Sequence, residues 1–216
     1  MFTGIVEEMG TVKECNRQGQ GFDLCIHCST VLEGTALGDS ICVNGVCLTV
    51  AKMDGSSFTA GLAPETRSRT NLEALTSGSP VNLERSVTPT TRMGGHFVQG
   101  HVDTVGVIKT FKKDEDALWV TISADDSVMR YIVTKGYVTL DGTSLTVVDV
   151  QDDWFNVTLV SYTQSHIIMP TKAVGDKVNI EVDVLGKYVE RLLQFNNVAS
   201  PGSAITPQFL SEHGYE

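Results

Sequence analysis

"VNGVCLTV" at residues 43–50 returns as "LDGTSLTV" at residues 140–147. Both stretches pivot on a dipeptide, Asn44-Gly45 or Asp141-Gly142, that tolerates positive φ and suits a two-residue hairpin turn. Superposing the turns sets an offset of 97 residues, and two further blocks keep it without gaps. "FTAGLAPETRS" from Phe58 falls on "FNVTLVSYTQS" from Phe155, and "SGSPVNLE" from Ser77 falls on "VGDKVNIE" from Val174. At the front, "GIVEEMGTV" from Gly4 matches "GHVDTVGVI" from Gly100 at an offset of 96, so one residue is absorbed in a loop. A shared spacing over several blocks means internal duplication, which fixes the architecture before any single residue does. The expected organisation is one copy at 1–93, a second at 94–186, a helix at 187–196 and a tail of little order at 197–216.

Each copy reads as strand. "SICVNGVCLTVAKM", "YVTLDGTSLTVVDV", "DALWVTISA" and "KVNIEVDV" are rich in β-branched residues and bounded by Gly, Asp and Ser. Short strands with frequent turns predict an all-β fold of two tandem homologous small closed β-barrels, Greek-key type, plus a C-terminal helix. Helical turns are expected at "STVLEG" and "DDSVMRYI", capped by Ser29 and Asp126. In "KYVERLLQF", Tyr188, Leu192 and Phe195 fall on one side of a helix with Val189 and Leu193 beside them. A helix of about ten residues is marginal alone in water, so the stripe packs either on its own barrel or on another subunit.

Composition narrows the function. With 216 residues, 41% hydrophobic and 19% charged, the chain can bury a core, and no apolar run reaches membrane-spanning length. A formal charge of −10 argues against nucleic acid as partner. Five cysteines and an N-terminus without a basic region before an apolar core point to reduced thiols in a cytoplasmic compartment, or in an organelle after loss of a targeting peptide. "CIHC" at 25–28 has metal-site spacing but no second pair, and Phe22, Leu24 and Ile26 alternate with Asp23, Cys25 and His27 as in a half-buried strand. No phosphate-loop, dinucleotide, zinc-protease or nucleophile-elbow motif is present in the sequence.

Two copies of one fold offer two pockets of similar shape, suited to two molecules of one compound. Differences at matched positions would then divide the labour. Cys47 stands where the second copy has Ser144, and His101 where the first has Ile5. Cys47 and Thr49 alternate with Leu48 and Val50; if the aliphatics fill the core, the thiol faces outward or into a pocket. The alternative is Cys47 as a small core hydrophobe. His101 lies in "GGHFVQGHVDT" with His96, where glycines suit either close backbone approach or a linker.

"MFTGIVEE", "VNGVCLTV", "LAPETRSRTNL", "VNLERS", "GGHFVQGHVDT", "KGYVTLDGTSLTV" and "VNIEVD", in that order, resemble the riboflavin synthases of the alpha-subunit type, over nearly the whole chain to about residue 193. The resemblance implies a transferase of riboflavin biosynthesis, acting at its last step. It dismutates two molecules of 6,7-dimethyl-8-ribityllumazine by moving a four-carbon unit, giving riboflavin and 5-amino-6-(ribitylamino)uracil. It also implies no cofactor and no metal, and a homotrimer with two substrates per active site, built from the N-terminal barrel of one subunit and the C-terminal barrel of another. Carried over by motif, substrate-binding residues of the first barrel are Gly4, Ile5, Val6, Cys47, Leu48, Thr49, Gly61, Leu62, Ala63, Pro64, Glu65 and Thr66. Those of the second are Gly100, His101, Val102, Lys135, Ser144, Leu145, Thr146, Thr158, Leu159, Val160, Ser161, Tyr162 and Thr163. The expected catalytic residues are Cys47 and His101, with Ser144, Thr146 and Asp183 across the site. A non-catalytic lumazine- or flavin-binding protein of the same fold is the competing reading, and retention of Cys47 and His101 favours the enzyme.

Overall fold

The two repeated dipeptides turn as their composition requires. In a computed structural model describing residues 1–18, 21–196 and 207–215, φ is 46° at Asn44 and 82° at Gly45, and 43° at Asp141 and 80° at Gly142. Positive φ at both central residues is the two-residue hairpin geometry whose twist matches the flanking strands. Gly45 is also held by proximity: a Cβ there would lie 2.9 Å from the Gly142 nitrogen, and one on Gly142 would lie 2.8 Å from the Gly45 nitrogen. The two hairpin tips therefore abut, and neither tolerates a side chain.

The first copy contributes β1 (Glu8–Gln18), β2 (Gly21–His27), β3 (Ser40–Val43), β4 (Val46–Thr49), β5 (Lys52–Met53), β6 (Ser57–Gly61) and β7 (Pro80–Arg85). The second contributes β8 (Thr104–Asp114), β9 (Ala117–Ser123), β10 (Tyr137–Leu140), β11 (Thr143–Val150), β12 (Trp154–Leu159) and β13 (Lys177–Val182). Registers repeat at the offsets seen in the sequence. Glu8 pairs with Leu83 as Thr104 pairs with Ile180, Cys25 with Thr59 as Thr121 with Asn156, and Cys42 with Cys47 as Thr139 with Ser144.

The second copy is a closed barrel in the order β10-β11-β12-β9-β8-β13; the first, expected to close likewise, is a seven-stranded sheet in the order β4-β3-β7-β1-β2-β6-β5. The difference lies in one strand. Where β11 absorbs a register shift between Val147 and Val150 and pairs with both neighbours, its counterpart breaks. The Val50 N–H donates to Asp39 O at 2.8 Å and the Ala51 N–H to Thr59 O at 2.9 Å, so the chain changes partners within one residue. The two edges, β4 and β5, are consecutive in sequence, so the first barrel closes through the covalent chain rather than through a ladder.

Each copy has its own core: Phe22, Leu24, Ile26, Ile41, Leu48, Phe58 and Leu83 in the first, and Ile108, Ile122, Val138, Leu140, Phe155 and Ile180 in the second. Each such side chain contributes about 1.5–3 kcal/mol of transfer free energy. Cys25 and His27 lie on the outer face of β2 as the alternation predicts, and among the described residues no group of three or more His, Cys, Asp or Glu could hold a metal. The seam between the copies is polar. Asn179 donates through Nδ2 to Asn44 O at 2.7 Å and to Asn71 Oδ1 at 2.9 Å, and its Oδ1 accepts from the Asn71 N–H at 2.7 Å. Asn82 mirrors it, donating to Asp141 O at 2.8 Å and accepting from the Ile168 N–H at 2.8 Å. Lys172 Nζ sits 2.8 Å from the buried Asp141 Oδ2. Buried polar groups are tolerated only when paired, so this network fixes one arrangement of the two copies. Met1–Asp183 accordingly form one compact unit.

Helices are short. The two expected turns are a 3₁₀ turn at Thr30–Leu32 and a helix at Asp126–Met129. Neither Ser29 nor Asp126 caps by side chain; at the first, the Glu8 carboxylate accepts from the Ser29 and Val31 N–H groups at 2.7 and 3.0 Å instead. In chain order the helices are α1 (Pro64–Arg69), α2 (Asp126–Met129), α3 (Ser161–His166), α4 (Val184–Asn196) and α5 (Pro207–Glu212). Two further helices, α1 and α3, are not among the expected turns and occupy matched places after β6 and β12. Val184–Glu216 form a second unit. Within it α4 starts three residues earlier than expected, and its Tyr188, Leu192 and Phe195 are 63%, 65% and 59% exposed. Of the expected tail, 197–206 and Glu216 lie outside the described residues, while Pro207–Glu212 is helical rather than without order. Among the described residues no helix is long and apolar enough to cross a membrane.

Candidate active site

Strand alternation sends Ile41, Val43, Val46 and Leu48 into the first core, which leaves Cys42 and Cys47 on the opposite face of the hairpin. Cys47 is therefore not a core hydrophobe: it is half-buried, and Thr49 beyond it is exposed. The matched face of the second hairpin carries Thr139, Ser144 and Thr146.

The segments that cover these faces are exchanged. The Cys47 N–H donates to Gly100 O at 2.9 Å, and the Ser144 N–H donates to Gly4 O at 2.8 Å. A Cβ on Gly100 (φ 77°) would lie 2.7 Å from the Cys47 Cβ, and one on Gly4 (φ 77°) 2.6 Å from the Ser144 Cβ. Val6 packs on the core of the second copy and Val102 on that of the first. The expected grouping is thus corrected. Gly4, Ile5 and Val6 belong with Ser144, Leu145 and Thr146, whereas Gly100, His101 and Val102 belong with Cys47, Leu48 and Thr49. Repeat position alone groups each segment with its own copy, because local pattern does not say which barrel such a segment covers.

Two buried carboxylates anchor the exchange. Glu84 on β7 accepts from the Thr3 N–H and hydroxyl at 2.7 and 2.8 Å and from the Gly4 N–H at 2.9 Å. Glu181 on β13 accepts from the Gln99 N–H at 2.6 Å and the His101 N–H at 2.8 Å. Burial pushes the Glu84 carboxyl up to about 7, against the lowering effect of its three donors. Between the segments, Phe2 is fully buried and exchanges backbone hydrogen bonds with Val98 at 2.7 and 3.2 Å, forming a small separate cluster with Cys42 and Cys47.

The second face contains His96, whose Gly-rich stretch the sequence leaves open between close backbone approach and a linker. His96 is 8% exposed, stacks on Tyr137 with centroids 5.1 Å apart, and brings Nδ1 to 2.7 Å from Ser144 Oγ and Nε2 to 3.2 Å from Thr139 Oγ1. Burial pushes its imidazole below the ordinary value, opposed by the Asp183 carboxylate. Ser144, Asp183 and His96 therefore form one cluster, and Thr146 joins it through its register partner Tyr137. The only sequence signal for His96 was its place in the same Gly-rich stretch as His101.

The remaining expected residues flank these faces. Gly61–Thr66 run from the end of β6 into the first turn of α1, and Thr158–Thr163 from the end of β12 into the first turn of α3. Leu62 and Leu159 are core residues, while Val160 and Tyr162 are 62% and 73% exposed and Ile5 is 47% exposed. Lys135 holds φ at 66° beside Gly136, and its N–H donates to Val147 O at 2.8 Å, on the same strand, β11, that carries Ser144. A cavity of about 760 Å³ bounded by Thr3, Ser40, Glu84, Arg85 and Arg92 touches only Ile5 among the expected binding residues.

Comparison with known proteins agrees with this duplication. The family described as "Lumazine binding domain" matches twice, at residues 3–86 and 99–183. The chain is 52% identical over 198 residues to the riboflavin synthase of Schizosaccharomyces pombe, covering 90% of this chain and 94% of that protein. It is 43% identical to that of Bacillus subtilis over the full length of both. In fold it is similar to LumP complexed with riboflavin, with a TM-score of 0.79 and 23% identity over 84% of this chain and 99% of that one. LumP complexed with 6,7-dimethyl-8-(1'-D-ribityl) lumazine gives 0.76, also at 23% identity and with the same coverage of both chains.

Proposed function

The chain belongs to the riboflavin synthase family, and we propose that its two hairpin faces each take one of the two substrate molecules and divide the chemistry between them. The enzyme converts two molecules of 6,7-dimethyl-8-ribityllumazine to riboflavin and 5-amino-6-(ribitylamino)uracil by transfer of a four-carbon unit. The reaction needs a proton taken from the acidic 7-methyl group, a nucleophile added to the partner ring, and proton transfers during elimination. The face bearing Cys47, Gly100 and His101 supplies a thiol and an imidazole. The face bearing Ser144, Gly4 and Ile5 supplies a hydroxyl already held by a buried imidazole.

The exchanged segments carry this reading, because they make two matched faces that differ where reactivity would differ. His101 is the proton carrier and Cys47 the nucleophile or proton donor. Ser144, Thr146 and Asp183 orient and activate a hydroxyl or water, with His96 holding Ser144. Neither face is enclosed: Thr49 and His101 are exposed on the first, Ile5, Tyr137, Val160 and Tyr162 leave apolar surface in solvent on the second, and the α4 stripe is exposed too. A homotrimer that sets the thiol face of one chain against the hydroxyl face of another would cover both and stack the two heterocycles. Such positioning is worth about 7–11 kcal/mol.

Mixing the protein with the lumazine and following absorbance in the flavin band tests the activity; constant lumazine with no yellow product would refute it. Cys47→Ser and His101→Gln each lower turnover, and unchanged rates in both would remove these residues from the chemistry. Sedimentation reports the trimer, and a monomer under turnover conditions would remove it.

A further inference from the structure

The thiol face holds a second cysteine. Cys42 and Cys47 are directly opposed on β3 and β4, one residue outside the turn-flanking pair Val43 and Val46. The Cys47 N–H leaves the hairpin to reach Gly100 O at 2.9 Å, as at a position between ladder hydrogen bonds. At such positions the opposed Cα atoms approach to about 4.5 Å, within the range a disulfide spans. The side chains share one cluster with Phe2 and Val98. In the second copy the same two positions are Thr139 and Ser144, which cannot be oxidised in this way.

We propose that Cys42 and Cys47 form a redox pair in which a hydroperoxide reversibly converts the exposed thiol and its buried partner to a disulfide inside the hairpin. Hydrogen peroxide oxidises the Cys47 thiol to a sulfenic acid with release of water. The Cys42 sulfur then attacks the Cys47 sulfur, and a second water leaves as the S–S bond forms. Exposure sets the order: Cys42 is 2% exposed and Cys47 half-buried. Burial and the Glu84 and Glu181 carboxylates push the Cys42 thiol well up, so it is not the thiol that peroxide attacks, and in the second step its proton leaves with the sulfenic oxygen as water. At such a position the Cβ atoms lie toward the short end of about 4.5–5.5 Å and those of a disulfide about 3.5–4.5 Å, so closure draws the two strands slightly together and leaves a bond that a dithiol can reduce. A cysteine in this disulfide offers no thiol, so oxidation halts turnover and reduction restores it. That consequence rests on the role proposed for Cys47; the disulfide itself is read independently.

The full chain is reduced, exposed to hydrogen peroxide, alkylated and cut before aspartate, which releases residues 39–53 with Cys42 and Cys47 as the only cysteines. The peptide is expected to lose two hydrogens and resist alkylation, while turnover falls and returns with dithiothreitol. Cys42→Ala, and Cys42→Thr as its counterpart in the second copy, lose under peroxide the turnover they start with and do not regain it with dithiothreitol, because an unresolved sulfenic acid goes on to sulfinic acid. Two alkylated thiols in the oxidised peptide, or full recovery of both Cys42 variants, would overturn the pair. A disulfide with undiminished turnover would overturn the masking and the role of Cys47, and leave the pair standing.

Discussion

Truncating Phe2 to alanine separates the exchanged segments from the barrels they cover. The ring is fully buried in a cluster of four residues, Phe2, Val98, Cys42 and Cys47, and its Cε2 atom lies 2.9 Å from where a Gly100 Cβ would sit. Removing a buried phenylalanine costs about 3–5 kcal/mol, transfer and cavity together. Against a typical stability of about 5–15 kcal/mol the chain still folds, and in a protein of this size the melting temperature falls by about 6–20 °C. Phe155→Ala, an equally buried ring in the middle of the second core, costs about as much. The two variants differ in where they loosen the molecule. Assayed well below both melting temperatures, Phe2→Ala is expected to lose more than about tenfold in turnover, because a shift of an ångström at a reacting group is worth far more than that. Phe155→Ala should retain most of it. Equal turnover in the two variants, or a Phe2→Ala protein that melts and reacts like the wild type, would refute the reasoning.

Other consequences follow from the seam, the buried carboxylate and the abutting turns. Asn179→Leu strands Asn44 O, the Asn71 N–H and Asn71 Oδ1; at about 1–3 kcal/mol for each, urea denaturation should show a loss of at least about 3 kcal/mol. Glu84, raised in the fold from 4.5 to about 7, contributes stability that is complete below about pH 4.5 and lost as pH rises through about 7. The loss amounts to up to about 3 kcal/mol, and Glu84→Gln should flatten that part of the stability profile measured by thermal melts. Gly45→Ala meets the Gly142 nitrogen at 2.9 Å, whereas Gly34→Ala, at φ 76°, meets nothing within 4 Å. Both are strained by positive φ at a cost of about 1 kcal/mol, so calorimetry should show Gly45→Ala to be the more damaging.

Local chemistry made the hairpins and the duplication legible, and left Cys47 either as a core hydrophobe or on the outward face, which the packing of Leu48 decides. Asn-Gly and Asp-Gly specify their own turns, and the alternation puts Cys47 and Leu48 on opposite faces without saying which of the two is the core. Cys47 and His101 were singled out by asymmetry between the copies, and the fold brings their segments together. The exchange was not legible, since residues 4–6 and 100–102 match by repeat position alone and only tertiary hydrogen bonds to Cys47 and Ser144 distinguish their partners. His96 escaped for a related reason: its hydroxyl partners lie 43 and 48 residues away, and a Gly-rich neighbourhood resembles a linker. The helices α1 and α3 are six residues each with no buried face, so no apolar period announced them.

Titrating the isotope-labelled protein with riboflavin, followed by NMR, addresses the exchange itself. Resonances of Ile5 should move together with those of Ser144 and Thr146, and resonances of His101 together with those of Cys47 and Thr49, as two separable binding events per chain. A single event, or Ile5 moving with Cys47 while His101 moves with Ser144, would contradict the account.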